Sequence, residues 1–169
     1  YLLQICANLH DNAEALSAIW DDFGPDFSTS VVSGLSGGQN QMVNAMVASL
    51  EETVKNKLGK ALGEGNGGFL DSLLLEAYFS DFSLNILDSY LDAFEAAYKG
   101  DFTTSTEAFG FDDYLTALDN AALNQQIETA IADCHTALDA LIGTGLNDLL
   151  YNITEGVEAL LDAVYELVV

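Results

Sequence analysis

Apolar residues along this chain recur at steps of three and four, the period that gathers them on one face of a helix. The first such stretch runs from about Tyr1 to Asp22. In it Leu2, Cys6, Leu9, Ala13, Leu16, Trp20 and Phe23 alternate steps of four and three, which is the pattern of a bundle seam. Gly24-Pro25 is expected to stop it, because proline cannot continue the hydrogen-bond ladder. Residues 26–38, rich in Ser and Gly, read as a surface connection. A second helix, from about Gln39 to Leu58, presents Val43, Met46, Val47, Leu50 and Val54. The segment Gly63-Glu64-Gly65-Asn66-Gly67-Gly68 is too rich in glycine for regular structure and reads as a loop inside the domain. Phe69 to Ala77 has room for a short helical turn.

Beyond it a helix start is legible. Ser80 or Asp81 can accept from a free N–H of the first turn, and Asp81 also meets the positive end of the helix dipole. Leu84, Leu87, Leu91, Phe94 and Tyr98 then share a face, and Gly100 can take the left-handed conformation that ends a helix. Thr103 to Thr106 reads as a polar loop and Phe111 to Leu118 as a short helix. A long helix from about Ala121 to Ile142 carries Ile127, Ile131, Cys134, Leu138 and Leu141, and Gly143 ends it. Thr144 can cap a last helix whose face is Leu146, Leu149, Ile153, Val157, Leu160, Val164 and Leu167. Long amphipathic segments without a credible strand predict an all-α fold: an antiparallel bundle of four to five long helices with short connecting helices, one domain over residues 1–169.

Composition narrows what this bundle can do. A chain of 169 residues is long enough to bury a continuous core, and no uninterrupted apolar run approaches the ~20 residues needed to cross a bilayer. Against 27 acidic residues stand 4 lysines and no arginine, a net charge of −23 that repels phosphate backbones and anionic lipids. Nucleic acid and membrane surfaces are therefore poor candidates as partners. The lack of a guanidinium fork argues against anionic small-molecule substrates as well. Lys55, Lys57 and Lys60 fall in one short stretch, so everything after them carries Lys99 alone. The acidic field is a solvated surface first, and a weak attractor of cations second.

The residues that could carry chemistry are few. Cys6 and Cys134 sit on the apolar stripes of two different helices and read as small core residues, with a disulfide between them left open. The sequon Asn152-Ile153-Thr154 falls inside the last helix and reads as coincidence. His10 and Glu14, four apart, share a helix face, the spacing by which a helix offers two ligands to one metal ion. Two ligands do not close a site, and the pair reads first as exposed. His135, beside Cys134 and four before Asp139, reads as bundle packing. Glu76 lies just ahead of a helix start among Tyr78, Phe79 and Phe82, where a partly desolvated carboxylate seeks a partner. It serves either as a site residue or as a cap for neighbouring N–H groups. Serines are plentiful, but no motif ties either histidine to one, and a nucleophile elbow needs strands.

Glu76-Ala77-Tyr78-Phe79-Ser80, the helix to Tyr98-Lys99-Gly100, and Phe111-Asp112-Asp113-Tyr114-Leu115 together resemble the second half of imelysin-like proteins. Leu58-Gly59-Lys60-Ala61-Leu62-Gly63 is similar to the linker preceding that segment, while Glu76-Ala77 departs from the family's usual Glu-Ser pair. The resemblance implies an all-helical protein of two related bundles, exported to the periplasm or cell surface and associated with iron acquisition. It also implies a Gly-x-His-x-x-Glu motif in the first half, which neither His10 nor His135 satisfies here. The expectation is that this chain is the C-terminal half of a longer imelysin-like domain, its partner being the N-terminal half. By the same resemblance Glu76, with Phe79 and Ser80 in support, would help shape a shared site.

The functional expectation is a non-catalytic imelysin-like module of the cell envelope that takes part in uptake of iron or another metal. A divalent or ferric ion would be held by Glu76, His10 and Glu14. The alternatives are part of a metallopeptidase, which needs the missing histidine motif, and a purely structural or adhesive acidic module. Metal titration separates the first reading from the last.

Overall fold

The computed structural model describes residues 1–30, 37–65, 67–101, 109–141 and 154–168. Its long helices are α1 (Leu2–Ser28), α2 (Gly38–Glu52), α3 (Ser83–Lys99), α5 (Ala121–Asp139) and α6 (Thr154–Val168), with a short α4 (Phe111–Ala117). A π-helical turn covers Thr53–Gly59, and 3-10 turns cover Ser72–Leu74 and Tyr78–Ser80. Among the described residues there is no strand, so the fold is an all-α helical bundle, as the periodicity predicts. The chain divides into two compact units, residues 1–46 and 47–169.

In the first unit α1 does not stop at Gly24-Pro25 but runs through Pro25 to Ser28. Proline removes one N–H from the ladder, yet its carbonyl still accepts, here from Thr29 N at 3.2 Å and from Thr29 Oγ1 at 2.8 Å. Trp20, Phe23 and Phe27 bridge the position with ring centroids 5.4–5.7 Å apart. Each such aromatic pair contributes about 0.5–1.5 kcal/mol, enough to offset much of the ~3 kcal/mol that an interior proline costs. The expected seam differs too: no residue of α1 is buried, and Leu9 and Leu16 are each about two-thirds exposed. The stripe defines which face can be covered, while burial needs a second surface.

The second unit holds the core. Leu50, Val54 and Leu58 from the α2–π segment meet Leu84, Leu87 and Leu91 of α3, Cys134 and Leu138 of α5, and Leu160 and Val164 of α6. α5 packs most extensively on α6; α3 lies on α5, and α4 touches both. The expected single helix to Leu58 changes to π geometry at Thr53, whose hydroxyl donates to the Ser49 carbonyl at 3.1 Å and competes with the ladder there. Val54 and Leu58 are still buried together, one turn apart. The cavity left beneath them, about 30 Å³ and lined by Leu50, Leu87, Leu138 and Leu160, has room for one water and no organic ligand.

α3 ends where the sequence predicts, on Gly100 with φ of 67°. Its start differs: the N-cap is Phe82, preceded by Asp81 at φ 52°, a left-handed turn that Asp tolerates. Ser80 does not cap, because its hydroxyl donates to the Ala77 carbonyl at 3.2 Å. Both cysteines are free thiols, Cys6 exposed and Cys134 buried. The expected polar loop at Thr103–Thr106, the Gly143 stop, the Thr144 cap, Leu146, Leu149 and the sequon residues Asn152 and Ile153 lie outside the described residues.

Candidate metal centre

Asp88, Asp92, Glu95 and Lys99 step along α3 by four, three and four, so one polar stripe runs beside the apolar stripe of Leu84, Leu87 and Leu91. When the apolar stripe packs on α5, the polar one is carried to the rim of that contact. There it meets His135, whose neighbour Cys134 is fully buried and whose own side chain is 27% exposed. One ligand atom from each of Asp88, Asp92 and His135 can be chosen so that all lie within 4.8 Å of one another.

Two further groups of α3 continue from His135 in a hydrogen-bonded chain. Glu95 Oε2 lies 2.9 Å from His135 Nε2, and Lys99 Nζ donates to Glu95 Oε1 at 2.5 Å. The Lys99 ammonium holds the Glu95 carboxyl below the usual carboxylate range; partial burial opposes this and the bond to His135 adds to it. In return the Glu95 carboxylate raises the Lys99 pKa. Glu95 is thus a fixed anion, and a neutral imidazole that donates Nε2–H to it carries its lone pair on Nδ1.

The donor set fits a metal ion. Two carboxylates and one imidazole suit first-row metals that accept oxygen and nitrogen together, iron, manganese and zinc among them. Ligand bonds of ~2.0–2.2 Å place donors on one ion about 3–3.5 Å apart, so donors that lie within 4.8 Å of one another have at most ~1–2 Å to close, within reach of carboxylate rotation. An open groove of about 670 Å³ between α5 and α6, edged by Asp133, Asp162 and Glu166, adds to the negative field on α5.

The family model for Imelysin (peptidase M75) matches residues 1–168. The chain belongs to the imelysin family. No curated protein and no solved structure matches it.

In this imelysin chain the donors expected from sequence are distributed differently from the trio. His10 and Glu14 face each other at 3.3 Å across one turn of α1, each 70% exposed, as an open pair. Glu76 does find a partner, but it is a cation: Lys57, on the π-helical turn, forms the ion pair, with its Nζ 4.3 Å from the centre of the Tyr90 ring. Phe79 is 94% exposed, resting edge-on against Tyr78, and Ser80 is bonded to its own turn. Among the described residues, the group of three metal-type donors is Asp88, Asp92 and His135; Glu76, His10 and Glu14 are not in it.

Sequence reasoning passed over this trio because each member has an ordinary local explanation. Asp88 and Asp92 fall between the apolar positions of α3 and carry no motif, and His135 reads as bundle packing. The available signal was the stripe 88, 92, 95, 99, which places the one lysine after Lys60 in register with three acids. The residue facing that stripe depends on how α3 crosses α5, which no local pattern encodes.

Proposed function

We propose that this imelysin-family chain is a metal-binding module of the cell envelope that serves uptake of iron or another metal ion and is not itself catalytic. The observation that carries this reading is the convergence of Asp88, Asp92 and His135 from two packed helices. The charge of −23 supports it by favouring cations over anions near the surface. So does family membership, together with the iron association and export that the sequence resemblance implies. Three protein ligands leave coordination positions free for water or for a donor from another segment, in keeping with an ion that must be taken up and handed on. The peptidase in the family's description has less support in these residues, since neither histidine stands in a Gly-x-His-x-x-Glu motif.

Calorimetric titration with Mn²⁺ tests the reading. Wild-type protein is expected to take up one ion, Asp88→Asn with Asp92→Asn to lose at least tenfold in affinity, and His10→Ala to bind unchanged. Equal binding by the wild type and the double variant would remove the basis of the proposal.

A further inference from the structure

We infer that Glu95 is the positioning residue of this centre: it holds the His135 ring so that Nδ1 is presented as the metal donor, and Lys99 in turn holds Glu95. The inference rests on the metal reading above and adds a division of labour within the α3 stripe. Asp88 and Asp92 belong to the trio that can meet an ion, whereas Glu95, three residues farther on, engages Nε2 of the histidine at 2.9 Å and so leaves Nδ1 as the nitrogen with a lone pair to offer. A metal-ligating imidazole works as one tautomer, and a carboxylate on its second nitrogen selects that tautomer and fixes the ring plane. Without such a partner a surface histidine exchanges between tautomers and rotamers, and each wrong state subtracts from affinity.

Lys99 makes the arrangement directional. Its ammonium takes Oε1 of Glu95 at 2.5 Å, which turns Oε2 toward His135 at 2.9 Å. The carboxylate cannot swing away to join Asp88 and Asp92 without abandoning its lysine. Lys99 sits in the last turn of α3, where a cation is also favoured by the helix dipole, so its place is fixed twice. Lys99, Glu95 and His135 form a hydrogen-bonded chain, and of these three only His135 would touch the ion.

Two readouts test this on the full chain. The first is the ¹⁵N shift pattern of the His135 ring in metal-free protein with the ring deprotonated. Wild type is expected to show the Nε2–H tautomer, Glu95→Ala a mixture, and Glu95→Gln the wild-type form, because its amide oxygen can still accept from Nε2–H. The second is Mn²⁺ affinity, expected to fall about 10- to 100-fold in Glu95→Ala and to recover most of the loss in Glu95→Gln. Slow alkylation of Cys134 in each variant verifies that the bundle is intact. Wild-type protein that takes up no Mn²⁺ overturns the metal reading and this inference with it. Wild-type binding alongside a Glu95→Ala variant with unchanged affinity and tautomer overturns the inference alone.

Discussion

Two helices with the same kind of stripe have different fates in this protein. α1 repeats apolar residues over 27 positions and buries none of them, whereas the 17-residue α3 buries Leu84, Leu87, Leu91 and Tyr98. Their histidine neighbourhoods differ in the same way. His10 and Glu14 sit on one helix with 70% of each side chain in solvent, while His135 is 27% exposed and bonded to a carboxylate from another helix. Periodicity makes a helix and names its sticky face. Only a packed second helix turns that face into core and brings distant polar residues to its rim.

The largest expected contrast is in thiol chemistry. Cys6 on α1 is exposed; Cys134 on α5 is buried, and burial, with Asp133 nearby, pushes its thiol up to about 11. In native buffer Cys6 should alkylate at the rate of a free thiol and Cys134 about 10³-fold more slowly or less, since it must await opening of the core. Equal rates would mean that the second unit does not hold its core.

Truncations give the next contrast. Leu138 is 1% exposed and Leu16 is 66% exposed. Leu138→Ala should cost about 2–5 kcal/mol in urea unfolding, and Leu16→Ala about 0.5 kcal/mol or less. A cost above ~2 kcal/mol for Leu16→Ala would show that the α1 stripe is covered in solution.

Tyr98 supplies a smaller, pH-dependent effect. Burial first, then Asp112 and Glu128, raises its phenol from 10.0 to about 12, and its hydroxyl donates to Asn124 at 2.7 Å. A raised folded pKa stabilises fully below the unfolded value, so this stability is present below pH 10.0 and is lost as pH rises toward about 12. Tyr98→Phe should cost about 1 kcal/mol at neutral pH and flatten the alkaline limb of the stability profile.

The Glu95–Lys99 pair gives the smallest effect, about 0.3–0.5 kcal/mol for a pair four apart on a helix. Glu95 lies below its ordinary 4.5, so its share is present above pH 4.5 and fades as pH falls through the lowered folded value. Lys99 lies above its ordinary 10.5, so its share is present below pH 10.5 and fades as pH rises through the raised value. Lys99→Met should therefore differ from wild type between those limits and converge with it in acid. Urea midpoints measured across that range give the answer.

Much of the fold was legible along the chain, and the α3 stripe shows why. Leu84, Leu87, Leu91 and Tyr98 are buried at the expected spacing, and Gly100 ends the helix in the expected left-handed conformation. Pro25 shows the limit: its local rule says stop, but three aromatic rings spanning the position carry the helix to Ser28. The π-helical turn at Thr53 was equally invisible, because one hydroxyl bonded four residues back leaves no mark on the apolar pattern. Glu76 was read as a carboxylate in need of a partner, and the partner is Lys57, nineteen residues away. The candidate centre was harder still, since two of its possible donors come from α3 and one from α5. Local pattern identifies each face, while the register between two helices decides which faces meet.

The most direct test of the metal reading uses the fact that the chain has two histidines, one in each region. Mn²⁺ broadens proton resonances near the bound ion, so substoichiometric additions can be followed on the two sets of imidazole ring signals. The His135 signals should vanish first and the His10 signals should persist. Loss of the His10 signals first, or of both sets together, would contradict a metal centre at Asp88, Asp92 and His135.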